Sequence, residues 1–93
     1  MNRKGNVEEN SNVQKSPENG KDCTLILHND DVHDFMYVIE SLIEICDHEL
    51  VQAEQCTYLV HYRGSSEVKK GKCEHLKEMY NQLIDKGLTV SIN

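Results

Sequence analysis

The spacing of apolar side chains changes several times along this chain, and this succession restricts its fold more than any other sequence feature. Cys23, Leu25 and Leu27 alternate with more polar or outward positions up to His28, which is typical of a strand with one buried face. Apolar residues then recur at spacings of three and four, which predicts an amphipathic helix. That helix carries Phe35, Val38, Ile39, Leu42, Ile45 and Cys46.

Further changes of spacing predict four more elements. A second helix is indicated by Leu50, Ala53, Thr57 and Val60 and ends at Gly64, and a third by Leu76, Met79, Tyr80, Leu83 and Ile84. Asp34 and Asp47 are the candidate N-caps of the first two helices. Residues 65–70 form a weak strand candidate around Val68, ended by Gly71. Gly87 suits a left-handed helix cap before a last strand with Leu88, Val90 and Ile92.

The predicted order is therefore β-α-α-β-α-β. We expect a single small α+β domain in which a three-stranded sheet packs against three helices. The domain is assigned to residues 22–93. Residues 1–21 are polar, contain the only proline and carry almost no apolar side chain, so we predict a flexible N-terminal tail.

Composition and charge exclude several classes of protein. A net charge of -6, a single Phe and no Trp argue against nucleic-acid binding. No apolar stretch reaches the length of a membrane span or of a signal peptide, which predicts a cytoplasmic protein. The four cysteines are irregularly spaced without a C-x-x-C pair, so we expect buried reduced thiols rather than a zinc or redox site.

Two polar segments are candidates for chemistry. Asn29-Asp30-Asp31 follows the first strand, and His61 lies near the end of the second helix in the segment VHYRG. Carboxylate, amide and imidazole acceptors suit a cationic ligand. They also leave open a divalent metal site, whose ligands would come from Asp30, Asp31, His33, Asp34 and His61. An enzyme using His61 as base and Cys56 or Ser65 as nucleophile lacks a supporting motif.

The order and interval of these segments resemble the ClpS adaptor family, from about residue 24 to residue 93. The resemblance implies the ClpS-like fold, which is also that of the ribosomal stalk C-terminal domain. It implies an adaptor without cofactor or catalytic activity, monomeric, which binds the first residue of substrate proteins (an N-degron) and delivers them to a ClpA- or ClpC-like AAA+ unfoldase. Asn29, Asp31 and His61 would bind the α-amino group, and the hydrophobic pocket would be formed by Phe35, Val38, Thr57 and Val60.

The chain departs from the family pattern at several positions. His33-Asp34-Phe35 stands where the family commonly has Thr-Pro-Met, and Thr57 replaces a pocket Met. Of the family's ATPase-docking residues, Glu74 is matched, whereas the Lys position is occupied by Met79, so Lys77 is the candidate substitute. Either Leu88 or Val90 would close the pocket. The alternative is a general protein-interaction domain that has no pocket for an N-degron.

Overall fold

The computed structural model describes residues 20–93, which form an α+β domain in the predicted order. Its strands are β1 (Asp22–His28), β2 (Ser65–Lys72) and β3 (Thr89–Ile92), and its helices are α1 (Phe35–Cys46), α2 (Leu50–Arg63) and α3 (Cys73–Asp85). The sheet is antiparallel in the order β2-β1-β3. The expected N-terminal tail lies outside the described residues except for Gly20 and Lys21.

The central strand β1 contributes two leucine side chains to the core. Leu25 and Leu27 are completely or almost completely buried, as their alternation predicts. They pack in one core with Leu42 of α1 and with Leu76 and Leu83 of α3. Within residues 20–93 no helix has the length and apolar character that crossing a bilayer requires.

The connection between α1 and α2 differs from the prediction. The Asp34 carboxylate caps α1 by accepting from Tyr37 N–H at 2.9 Å, as expected, but Asp47 does not cap α2. Asp47 instead ends α1 in a left-handed conformation (φ 58°), which Asp tolerates better than most residues. Buried His48 then pairs through Nε2 with Val68 O at 2.6 Å. These residues are committed to the turn, so α2 begins only at Leu50, and Glu49 is its N-cap without a side-chain hydrogen bond.

Some side chains assigned to the buried faces are exposed. Ala53, Thr57 and Val60 of α2 are buried as predicted, whereas Leu50 is 55% exposed because it lies in the first turn, at the helix end. Ile84 in the last turn of α3 is also exposed. Strand β2 is longer than predicted: it continues through Gly71 to Lys72 because β1 supplies paired residues along its whole length.

The expectation of four reduced thiols is wrong for two of them, because Cys23 and Cys73 form a disulfide. The register pairs Cys23 with Gly71, and α3 begins two residues later, which brings the two Cα atoms to 4.9 Å, a usual disulfide separation. This proximity depends on strand register and is not visible in the spacing of the cysteines. Cys46 and Cys56 are free thiols, and burial raises the pKa of Cys46 to about 11.

The disulfide predicts a stability that responds to reductant. It joins residues 50 positions apart, and the chain-entropy treatment assigns about 4 kcal/mol to a loop of that length. We expect urea unfolding under dithiothreitol to show a loss of this order in the free energy of unfolding. The Cys23→Ser/Cys73→Ser variant is the control and should not respond to reductant. Equal stability of the wild-type protein with and without reductant would contradict the prediction.

Candidate functional site

An open cavity of about 370 Å³ lies where the loop after β1, the start of α1 and the end of α2 meet. A cavity of this size lies within the range of small-ligand sites. It brings together all seven side chains that the sequence assigned to the α-amino site and to the hydrophobic pocket. These residues are Asn29, Asp31, Phe35, Val38, Thr57, Val60 and His61. Their roles in binding stay predictions.

One backbone hydrogen bond holds the two polar parts of the cavity together. Asn29 N–H donates to Gly64 O at 2.9 Å, which fixes the end of β1 against the end of α2. Gly64 has a φ of 93°, a left-handed conformation that glycine adopts without steric cost, and it ends α2 directly after the turn that carries His61. The predicted helix terminator therefore also positions the imidazole beside the loop.

Asp30 organises the loop and is not free for a ligand. Its Oδ1 accepts from Val32 N–H at 2.9 Å and from His33 N–H at 3.0 Å, and both carboxylate oxygens lie 3.2 Å from His33 Nδ1. Burial alone raises the pKa of the Asp30 carboxyl, but the hydrogen bonds from His33 and Val32 outweigh burial and hold that pKa below its ordinary value. Asp30 is therefore a carboxylate that is already occupied by its own loop.

The neighbouring acceptors remain available. Within residues 20–93, the Asn29 amide, the Asp31 carboxylate and the His61 imidazole have no hydrogen-bond or ion-pair partner. His61 is exposed, and its ring contacts Phe35 and Tyr62 edge to face at centroid distances of 5.2 Å. The cavity thus has three polar side chains whose hydrogen-bonding capacity is unused, and one of them carries a negative charge.

The other wall of the cavity is apolar. Phe35 is half-buried, and its ring is held edge to face by Tyr58 at 5.4 Å and by His61. Thr57 is buried and donates its hydroxyl to Ala53 O at 2.8 Å, so the polar atom is satisfied within α2. Of the two residues left open by the sequence, Leu88 lines the cavity, whereas Val90 lies in the core and beside α3.

His33 lines the cavity, whereas its place in the sequence indicated only a candidate metal ligand. Its ring stacks on Tyr37 at a centroid distance of 4.9 Å, and Tyr37 in turn donates its hydroxyl to Lys86 O at 2.6 Å. The same ring covers Gly87, at which an added Cβ would lie 3.1 Å from His33 Nε2. The one sequence signal of an unusual role for His33 is that the family commonly has another residue at this position.

The structure gives no support to the metal or nucleophile hypotheses. In the described part of the chain no three His, Cys, Asp or Glu side chains are grouped so that they can hold a metal ion. Cys56 lies outside the cavity lining and directs its thiol to Glu67 O at 3.7 Å. Burial raises the pKa of Cys56, which disfavours the thiolate that a nucleophile needs.

The predicted docking residues lie away from the cavity, on α3. Glu74 is in the first turn and Lys77 is three residues later, so the two side chains share a face; both residues are exposed. Met79, at the position of the family's lysine, is half-buried and packs against the core. The positive charge that the family's lysine would offer to a partner is therefore absent at this position.

The Gly87 contact predicts a difference between two glycine variants. Gly64→Ala and Gly87→Ala both place a Cβ at positive φ, at a cost of about 1–2 kcal/mol. An added Cβ at Gly64 meets no atom within 4 Å, whereas at Gly87 it crowds the His33 ring. We expect only Gly87→Ala to shift the NMR resonances of the His33 ring and to lower the free energy of unfolding beyond the shared cost. Equal effects of the two variants would contradict this packing.

Comparison with known proteins agrees with this architecture. Residues 18–91 match the family described as ATP-dependent Clp protease adaptor protein ClpS. That range includes every residue of the cavity and nearly the whole folded domain. No curated protein sequence matches the chain. Because the family match covers most of the 93 residues, the chain belongs to the ClpS family of Clp protease adaptors.

Proposed function

We propose that this adaptor binds the first residue of substrate proteins, when that residue is bulky and hydrophobic or aromatic, and delivers them to a Clp AAA+ unfoldase. The observation that carries the proposal is the composition of the cavity. Three polar side chains without partners in the described chain, Asn29, Asp31 and His61, lie beside an apolar wall. A free protein N-terminus combines the same two properties.

The polar side of the cavity is suited to an α-ammonium group. That group carries three donors and a positive charge, so it is best held by about three acceptors with net negative charge. Asp31 supplies the charge, and the Asn29 carbonyl and a neutral His61 ring supply further acceptors. Acetylation or formylation of the N-terminus removes the charge and most of the donors, which would leave these acceptors unpaired.

The apolar side is suited to the first side chain. One turn of α1 and one turn of α2 line the cavity together. Helix α1 contributes Phe35 and Val38, and α2 contributes Thr57 and Val60. Burial of a Leu or Phe side chain there would contribute about 1.5–3 kcal/mol. Together with charge-assisted hydrogen bonds, and after the cost of association, this supports affinities in the micromolar range, about 8 kcal/mol.

Delivery would use surfaces away from the cavity. Glu74 and Lys77 on the exposed face of α3 are the proposed contacts with a ClpA- or ClpC-like ATPase, and the segment before residue 22 is the proposed part that engages it. In this function the protein is a cytoplasmic adaptor without catalytic residues or a cofactor. The separation of the α3 surface from the cavity would allow substrate and ATPase to be bound together.

The amine site is tested with peptides that differ only at the N-terminus. Peptides that begin with Leu, Phe, Tyr or Trp should bind in fluorescence anisotropy. Acetylation should weaken them by at least about tenfold, because it removes charge-assisted hydrogen bonds worth about 1.5–3 kcal/mol. Equal binding of free and acetylated peptides would refute the proposal and leave a general protein-interaction domain.

The two adjacent aspartates provide a matched control for this test. Asp31→Ala should weaken binding of the free peptide while leaving the thermal midpoint near that of wild type, because Asp31 has no partner in the described chain. Asp30→Ala removes acceptors of Val32 and His33, so it should mainly lower stability. Matching losses of affinity in the two variants would show that Asp31 has no special role.

The choice of first residue is tested at Phe35 and Thr57. The Phe35 ring should exclude Ile and Val, whose second branch lies close to the backbone, so Phe35→Ala should admit them. Thr57→Met should weaken binding of Trp and Tyr first, by about 1–3 kcal/mol for overpacking. Thr57→Val is the control, because it removes the bond to Ala53 O without enlarging the side chain. Continued rejection of Ile and Val by Phe35→Ala would assign Phe35 to the core alone.

A further inference from the structure

Two tyrosines form an exposed aromatic surface next to the cavity. Tyr58 and Tyr62 lie four residues apart on α2, so they occupy the same face of the helix. Their rings are stacked, with a centroid distance of 5.6 Å and an interplanar angle of 6°. Their exposed fractions are 53% and 74%, which leaves much of both rings to solvent. We refer to Tyr58 and Tyr62 as the tyrosine pair.

The tyrosine pair is continuous with the rim of the cavity. Tyr58 contacts the ring of Phe35 at 5.4 Å, and Tyr62 contacts the ring of His61 at 5.2 Å, both edge to face. Phe35 and His61 also contact each other. Four aromatic rings therefore form one connected surface that begins at the hydrophobic pocket and continues outward over α2.

This continuity determines what can reach the pair. Phe35 and His61 line the cavity and contact the tyrosine pair on their other side, so a peptide that leaves the cavity over these two rings passes the pair. Successive residues of an extended peptide advance by about 3.3–3.6 Å, and the ring separations from the rim to the pair are 5.2–5.4 Å. One residue step and the length of a side chain together span such a separation, so a second side chain that is directed toward α2 can contact the tyrosine pair.

We propose that the tyrosine pair is a binding surface for the second residue of the substrate and favours an aromatic side chain there. The inference rests on the proposed function, since the cavity must first hold the N-terminal residue. Offset-stacked and edge-to-face contacts are the preferred geometries of aromatic side chains, and the stacked, exposed tyrosines offer both. The preference is assigned to ring contact and not to charge, because the two tyrosine side chains that form the pair are uncharged.

The test uses peptides that share Leu at the first position and differ only at the second, with Tyr, Ala or Arg. Binding is measured by isothermal titration calorimetry. Wild-type protein should prefer Tyr to Ala at the second position by about three- to tenfold, the range expected for one aromatic contact. In Tyr58→Ala/Tyr62→Ala the preference should fall to within about twofold. The preference is taken as the ratio of the affinities for the Tyr and Ala peptides, so a change in first-residue binding caused by the lost contacts with Phe35 and His61 cancels.

Two control variants separate this role from general effects on α2. Tyr58→Phe/Tyr62→Phe keeps both rings and should keep the preference for Tyr. Val51→Ala changes another exposed apolar residue of the same helix, two turns from the pair, and should also keep it. Circular dichroism and thermal unfolding establish that each variant is folded.

Three results would overturn the inference and leave the proposed function standing. Equal affinity for Tyr and Ala at the second position in the wild-type protein would show that the pair contacts no substrate. Persistence of the preference in Tyr58→Ala/Tyr62→Ala would place its origin elsewhere, and binding of the Arg peptide as tight as that of the Tyr peptide would assign it to charge. Loss of all dependence on a free α-amine, measured with acetylated Leu-Tyr peptide, would overturn the proposed function as well. Dependence on the amine without dependence on the second residue would overturn this inference alone.

Discussion

The hydrogen bond from Asn29 N–H to Gly64 O joins the only two segments that supply polar side chains without partners in the described cavity. It forms where both elements end, because Asn29 directly follows β1 and Gly64 is the C-cap of α2. The end of β1 places Asn29, the loop organised by Asp30 carries Asp31, and the last turn of α2 places His61. The distances between these acceptors therefore depend on the sheet, on one helix and on the short loop that Asp30 stabilises.

Within that frame the consecutive aspartates have different tasks. The Asp30 carboxylate accepts hydrogen bonds from two backbone N–H groups and contacts the His33 ring. These contacts make the loop more rigid. The His33 ring then packs on Tyr37 and covers Gly87, so the loop is also supported from the turn before β3. Rigidity of this kind lowers the entropy that a ligand would otherwise lose in ordering its site. The Asp31 carboxylate therefore lies on a loop that the hydrogen bonds of Asp30 hold in place.

Much of the fold and the grouping of the cavity residues could be predicted, because both follow from local periodicity and short motifs. Alternation identified β1, and spacings of three and four identified all three helices. Errors arose where tertiary contacts decide. The hydrogen bond between His48 and Val68 holds His48 in the turn, so α2 begins later than predicted. Pairing with β1 extends β2 past Gly71. The disulfide depends on strand register, and the tyrosine pair depends on which side chains are exposed. Neither property can be predicted from the spacing of apolar residues.

The disulfide also determines how the domain would bear mechanical tension. The covalent loop between Cys23 and Cys73 encloses the segment that contains Asn29, Asp31, Phe35, Val38, Thr57, Val60 and His61. A pull on the N-terminal end would be transmitted at Cys23 directly to Cys73 and the start of α3. The enclosed segment would carry little of that load, since a covalent bond is far stiffer than the hydrogen bonds between strands. Tension between the N-terminal end and α3 therefore bypasses the cavity residues within the loop, and Leu88 is the lining residue outside it.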